Sequence, residues 1–297
     1  MKHLLNIKQL THHEITSLIQ RALHFKHNPI YPCYSHCTLA NLFDENSTRT
    51  RVSFELAANH LGVHVVNLAL QQSSESKGEV IEDTIKTLSA MGIQLFVIRH
   101  TQDGLPQTLA EHCDKDVHII NAGAGTHSHP SQALLDMMTI VEHKPHLERL
   151  KIAIVGDLRH SRVAHSLQHM CAKLGMGELA LVAPTVWQPS VIHYGHVTTS
   201  LKDGLANADV VMCLRVQQER LNADEHIDWA SYRRDYAITK TSMAFAKPDA
   251  MVMHPGPINR GVEIDSDIAD GSQSFILRQV SNGVYMRMAI IDALVTA

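Results

Sequence analysis

Short apolar runs rich in β-branched residues alternate with helical periodicity along almost the whole chain. A strand that leads through a helix to another strand makes a βαβ unit, and βαβ units build parallel sheets. The first half supplies predicted strands at 38–43, 64–70, 95–100 and 118–122, with helices at 48–61, 79–91 and 105–113 between them. The second half repeats the style with strands at 151–156, 178–183, 210–214 and 251–254 and a helix over 161–174. Two sets of four strands fit an α/β chain of two doubly wound parallel-sheet domains better than one sheet. A closed (β/α)₈ barrel is the alternative, disfavoured by the long connections. Residues 130–144 read as a long helix with Pro130 at its first turn, where proline's missing N–H costs nothing. Lying between the strand sets, it is predicted to be the connector. The expected division is a first domain over 1–130, joined by a C-terminal helix at 282–297 that packs back on it, and a second domain over 131–281.

A chain of 297 residues with 44% apolar and 19% charged residues can bury two ordinary cores. Its 26 basic and 30 acidic residues leave a net charge of -4, which argues against nucleic-acid or anionic-membrane surfaces. Met1 to Leu10 mixes Lys2, His3, Asn6, Lys8 and Gln9 with apolar residues and does not read as a signal peptide. No apolar run approaches the roughly 18 residues that would span a bilayer, so the expected place is the cytoplasm. Five cysteines are too sparse for a disulfide framework. Cys33 and Cys37 lack a second ligand pair, and the 22 histidines are scattered, without a ligand set. Neither a metal nor a cofactor is expected.

The strongest local signal is Ser47-Thr48-Arg49-Thr50-Arg51, which follows the first strand and opens a helix. A helix start offers unpaired N–H groups and a partial positive charge, both suited to an anion. Three hydroxyls and two guanidiniums added there make a phosphate cradle without P-loop glycines. The same residues would also serve a capped helix with solvated arginines. Arg99 ends the third strand, at the sheet edge where open α/β folds bind ligands. His129 precedes Pro130; the helix dipole there disfavours imidazolium, so a neutral ring can donate to a carbonyl oxygen. Gln132 lies one turn along on the same side.

Ser-Thr-Arg-Thr-Arg after a strand, followed by His129-Pro130-Ser131-Gln132 at a helix start, resembles the aspartate and ornithine carbamoyltransferases. Asn121-Ala122-Gly123, Lys77-Gly78-Glu79, Arg99-His100, Gly156-Asp157-Leu158 with Arg162, Arg215-Val216-Gln217 and His254-Pro255-Gly256-Pro257 extend the likeness over the whole chain. The resemblance implies that Ser47, Thr48, Arg49, Thr50 and Arg99 bind carbamoyl phosphate. It gives Arg49, Thr50, His129 and Gln132 the catalytic contacts, with Gln132 and the backbone carbonyls of Gly256 and Pro257 holding the carbamoyl NH₂. Lys77, Arg162, Arg215 and Gln217 would bind the amino acid, Ser73 and Lys77 reaching in from the neighbouring subunit of a homotrimer. Glu45 and Arg220 would pair across the domains. A regulatory chain or a dihydroorotase is a further partner the resemblance leaves open.

Within that resemblance, ornithine enzymes carry His-Cys-Leu-Pro and Ser-Met-Gly motifs. This chain has His254-Pro255-Gly256-Pro257 without a cysteine, no Ser-Met-Gly, and Arg215 through Arg220 instead. A guanidinium there attracts a side-chain carboxylate and repels an ammonium, so L-aspartate is the expected amine and pyrimidine biosynthesis the implied setting. The rivals are another amine, such as ornithine, and a non-catalytic assembly subunit. A nucleotide-binding dehydrogenase is a third rival; it would need a glycine fingerprint after a strand, which Gly156-Asp157-Leu158-Arg159 lacks.

Overall fold

A computed structural model describes residues 1–45, 47–69, 80–216, 225 and 227–297. In chain order the elements are α1 (His12–His27), β1 (Thr38–Phe43), α2 (Thr48–His60), β2 (His64–Ala69), α3 (Ile81–Ala90), β3 (Leu95–His100), α4 (Leu105–His112), β4 (His118–Ala124) and α5 (Pro130–His143). There follow β5 (Lys151–Val155), α6 (Arg162–Leu174), β6 (Glu178–Val182), β7 (His196–Thr198), α7 (Leu201–Leu205), β8 (Val210–Cys213), α8 (Trp229–Tyr236), α9 (Lys240–Met243), β9 (Met251–Met253), α10 (Ser266–Ala269) and α11 (Ile276–Val295). The chain divides into two compact units, Met1–Met138 with Val280–Ala297, and Thr139–Gln279. The divisions fall within α5 and within α11. No described helix is long and apolar enough to cross a membrane.

In the first unit four parallel strands run in the order β2-β1-β3-β4. On one sheet face Ala40, Leu42, Phe96, Ile98 and Ile119 meet Ile81, Ile85, Leu105 and Leu109 of α3 and α4. On α2, Thr50, Ser53, Phe54, Ala57 and Ala58 are buried, a three-to-four-residue spacing that turns one stripe inward. A capping box between Thr11 and Glu14 starts α1, and the resulting reciprocal hydrogen bonds satisfy two end groups. The C-terminal part of α11 packs back on this unit. Asp292 accepts from Arg21 Nε at 2.8 Å and from Tyr34 Oη at 2.7 Å, and Asn282 accepts from Lys26 Nζ at 2.9 Å.

The second unit holds five parallel strands in the order β7-β6-β5-β8-β9. Four of them match the predicted runs. The fifth, β7, is a three-residue edge strand whose His196 is exposed, so it has no apolar run to reveal it. Ala153, Val155, Val182, Val211, Cys213 and Val252 pack with Leu205, Ile238 and Ile264 into its core. The last helix begins at Ile276, six residues ahead of the expected 282.

Candidate functional site

Strand order picks out one place in each sheet. In the first, β1 leads to β2 on one side and β3 leads to β4 on the other, so the order reverses between β1 and β3. Loops leaving the carboxyl ends of two such strands diverge and open a crevice, the usual ligand position of open α/β sheets. Phe43 and Arg99 are register partners at those ends. The Ser47 segment follows the first strand and Arg99 closes the second. The second sheet reverses between β5 and β8. Arg162 follows β5 by way of Gly156, and Arg215 follows β8.

Ser47 caps α2 in an extended conformation (φ -153°, ψ 90°), and its side chain takes no hydrogen bond from the first turn. That turn carries no acidic residue, so no side chain of its own offsets its N–H groups and positive dipole end. Thr48 and Arg49 are exposed, whereas Thr50 is 5% exposed. Ser53 Oγ lies 2.6 Å from the Arg49 carbonyl and 3.0 Å from that of Thr50, donating its proton back to the first turn.

Arg99 is held on two sides. Nη1 donates to the Ala122 carbonyl at 3.3 Å, and Nη2 lies 3.2 Å from Glu45 Oε2. Glu45 thus engages a site arginine of its own unit; Arg220, its expected partner, lies outside the described residues. Beyond Ala122 the chain is shaped by Asn121, whose Oδ1 accepts from Gly123 N at 2.8 Å while its Nδ2 donates to the Leu5 carbonyl at 2.8 Å. A turn closed by Ala124 N and the Ser128 carbonyl at 3.1 Å then delivers His129. The His129 carbonyl accepts from Gln132 N and Ala133 N at 3.1 and 3.2 Å, the first bonds of α5. The His129 side chain is 5% exposed. Gln132 is buried too, and its Nε2 donates to Asp136 Oδ1 at 2.8 Å.

In the second unit Gly156 has φ +131°, and a Cβ there would stand 3.0 Å from the Leu214 carbonyl oxygen. The ends of β5 and β8 approach that closely because this residue has no side chain. Asp157 follows, fully buried, accepting from His160 N at 3.1 Å. Burial pushes its carboxyl above the ordinary range, and the hydrogen bond from His160 opposes the push. Ser161 caps α6 by accepting from Ala164 N at 3.2 Å, and Arg162 opens the helix while buried. Arg215 is half-buried just past β8.

After β9, His254 turns the chain. Its Nδ1 accepts from Gly256 N at 2.8 Å, so Nε2 carries the proton and faces Glu263 Oε1 at 3.4 Å. Its backbone N–H donates to Gln279 Oε1 at 2.9 Å. Gly256 has φ +69°, and its peptide bond to Pro257 is cis. The structure thus brings Ser47, Thr48, Arg49, Thr50, Arg99, His129 and Gln132 to the carboxyl edge of the first sheet. Arg162, Arg215, Gly256 and Pro257 come to the same edge of the second. Ser73, Lys77 and Gln217 lie outside the described residues. Glu45 as a partner of Arg99, and Asp136 as a partner of Gln132, were not expected as site residues. Asp136 carried a signal, since it is the lone charge in the stretch 133–141, where every other residue but Thr139 is apolar.

Two family models divide the chain as its two units do in outline. The aspartate/ornithine carbamoyltransferase carbamoyl-P binding domain matches residues 2–142, and the Asp/Orn binding domain of the same enzymes matches residues 148–294. The chain belongs to the aspartate/ornithine carbamoyltransferase family. Among the family's members, the aspartate carbamoyltransferase catalytic subunit of Legionella pneumophila (strain Corby) is 64% identical over 295 residues, covering 99% of each chain. The protein of the same name from Coxiella burnetii (strain Dugway 5J108-111) is 48% identical, over 98% of this chain and 95% of that one. Among solved structures, aspartate transcarbamoylase from Trypanosoma cruzi in complex with carbamoyl aspartate and phosphate matches with a TM-score of 0.87 at 29% identity, over 98% of this chain and 94% of that one. Ornithine carbamoyltransferase from Pyrococcus furiosus matches with a TM-score of 0.86 at 29% identity, over 98% and 96%.

Proposed function

We propose that this chain transfers the carbamoyl group of carbamoyl phosphate to the amino group of L-aspartate, giving N-carbamoyl-L-aspartate and phosphate. The observation that carries this reading is the pair of switch points, each flanked by guanidinium-bearing segments. Arg49 and Arg99 stand at the first, and Arg162 and Arg215 at the second. Phosphate suits a helix start with hydroxyls and arginines, and a dicarboxylate suits two arginine forks. Relatives that are 48–64% identical carry the name of the aspartate enzyme.

The reaction follows from where charge develops. The aspartate nitrogen forms a bond to the carbamoyl carbon, and the carbonyl oxygen becomes an oxyanion. Arg49, Thr50 and His129 stabilise that oxyanion with preorganised donors. Gln132 and the carbonyls of Gly256 and Pro257 accept from the carbamoyl NH₂. When the oxyanion collapses, the carbon–oxygen bond to phosphate breaks. Phosphate leaves into the Ser47–Thr50 turn and Arg99, taking the amine proton on one of its oxygens. No covalent enzyme intermediate enters, so acceleration comes from positioning and fixed dipoles. Arg162, Arg215 and Gln217 orient the aspartate carboxylates.

The same reading makes the working unit a cytoplasmic homotrimer, with Ser73 and Lys77 of one chain completing a neighbour's site. Exposed apolar residues on α2 support such an interface: Val52 and Leu56, one turn apart, are 42% and 44% exposed. The test of the activity is a comparison of kcat/KM for L-aspartate and L-ornithine with purified chain and carbamoyl phosphate. Aspartate should lead by at least roughly two orders of magnitude. Comparable values would overturn the assignment of the amine, and no turnover of either would overturn the enzyme itself.

A further inference from the structure

Asp136 is wholly buried in α5. A carboxylate taken out of water costs several kcal/mol unless it is hydrogen-bonded and its charge is matched. One partner is Gln132, a turn earlier on the same helix, whose Nε2 donates at 2.8 Å. A buried cation on α11 is attracted to that charge. Arg287 is 3% exposed, donates from Nη1 to the Gly283 carbonyl at 2.9 Å, and lies with its guanidinium carbon 5.0 Å from the centre of the Phe54 ring. Burial lowers its pKa to about 10 and attraction to Asp136 works against that lowering, so Arg287 stays protonated at neutral pH. The guanidinium needs the notch left by Gly283, where a Cβ would stand 2.6 Å from Arg287 Nη1 and 3.3 Å from Leu135 Cδ2. A second helix is thus shaped to bury one cation, which Asp136 attracts.

The consequence falls on Gln132. A primary amide can show a ligand either its N–H donors or its oxygen, and nothing in the side chain itself chooses. An ionised carboxylate only accepts, so the Gln132 amide must turn its NH₂ to Asp136 and its Oε1 away. The NH₂ of a carbamoyl group is a donor and needs an oxygen. We propose that Asp136 is a positioning residue for carbamoyl transfer, locking the Gln132 amide with Oε1 presented to the carbamoyl NH₂, and that Arg287 keeps Asp136 in the acceptor-only state. This rests on Gln132 being the carbamoyl contact of the proposed function.

A purely structural pair would also be buried and matched, so the test must read coupling to Gln132. Asp136→Asn is made alone and in a Gln132→Ala background, with kcat and KM for carbamoyl phosphate measured separately and folding followed by circular dichroism and Tm. Gln132→Ala should lower kcat/KM at least tenfold. Asp136→Asn alone should lower it roughly 10- to 100-fold, the scale of leaving a polar pair wrongly matched. In the Gln132→Ala background it should cost under about threefold, because no amide is left to orient. Should Asp136→Asn fail to fold beside an unmatched Arg287, an isocharged exchange supplies the reading. Gln132→Glu alone sets carboxylate against carboxylate, whereas Gln132→Glu with Asp136→Asn restores a donor facing an acceptor. That pair should exceed the Gln132→Glu single by roughly fivefold or more.

Equal losses from Asp136→Asn in both backgrounds, or no gain from the exchange, would overturn the positioning role. Full activity in Asp136→Asn beside a crippled Gln132→Ala would overturn it alone, leaving Gln132 as the contact. Full activity in Gln132→Ala would remove the carbamoyl reading of Gln132 and this proposal with it.

Discussion

Arg49→Ala separates a residue kept for chemistry from one kept for the fold. Arg49 is exposed in the first turn of α2. A cation at that end opposes the helix dipole by about 0.3–1 kcal/mol, and alanine is the better helix former by a few tenths of a kcal/mol at most. Truncation should therefore leave stability within about 1 kcal/mol of the wild type, on the favourable side. In the proposed reaction the same guanidinium meets both the phosphate and the developing oxyanion. Losing one such donor costs about 2.7–4 kcal/mol of transition-state stabilisation, a fall in kcat of roughly 10²–10³. Steady-state kinetics at saturating aspartate reads the fall in kcat, and thermal unfolding with and without inorganic phosphate reads stability and phosphate binding. A ligand at 100 times its Kd adds about 2.7 kcal/mol to the folded state, so phosphate should stabilise the wild type measurably and the variant much less. Activity within a few-fold of wild type, or undiminished protection by phosphate, would refute the cradle.

Gly156→Ala would force a Cβ to 3.0 Å from the Leu214 carbonyl at φ +131°, so it should destabilise the second unit by about 1–3 kcal/mol, read as a lower Tm by calorimetry. His3 accepts from Ile119 N at 3.0 Å through Nδ1, and burial first, then Lys2 and His118, lower its pKa to about 4. Between pH 6.5 and 4 the unfolded state therefore binds more protons and stability falls with acid. Discounting for its part exposure, His3 should contribute on the order of 1 kcal/mol of that fall, absent in His3→Asn, in urea titrations across the window. Arg49→Ala and Lys77→Ala chains, each inactive alone, should regain roughly a quarter of wild-type sites when unfolded and remixed in equal amounts, since one junction in each mixed cyclic trimer is intact; mixed trimers with no recovery would mean that Lys77 serves no neighbour.

What can be read from a chain depends on whether the information is local. Strands such as β8 are buried at every position, so they appear as unbroken apolar runs. The Ser47 turn and the Pro130 helix start are local too, because capping and proline chemistry are written within four residues. β7 escapes that logic. It exists because Ala180, Leu181 and Val182 offer a free edge to His196, Val197 and Thr198, and an edge strand needs no apolar pattern of its own. The reversal of strand order is equally hidden, since periodicity says that strands exist but not which lies beside which. Glu45 beside Arg99 is a product of that order. Asp136 is the one charge between Ala133 and Val141, but its surroundings depend on a second helix far along the chain.

The choice of amine is a problem of charge more than of fold. An aspartate enzyme and an ornithine enzyme match this backbone almost equally, with TM-scores of 0.87 and 0.86 at 29% identity. A difference in sheet or helix arrangement is therefore not needed to separate the substrates. At the second switch point Arg162 is 7% exposed and Arg215 half-buried, so neither guanidinium sits fully in bulk water. At about 4 Å and an effective dielectric constant near 20, a unit charge meets another with about 4 kcal/mol. The sign is attractive for the side-chain carboxylate of aspartate and repulsive for the ammonium of ornithine. Even a quarter of the resulting swing of about 8 kcal/mol separates the two by more than a factor of ten, and half of it by nearly a thousand. On this reading, changing the amine requires removing or reversing charges after β5 and β8 while leaving the phosphate cradle after β1 untouched.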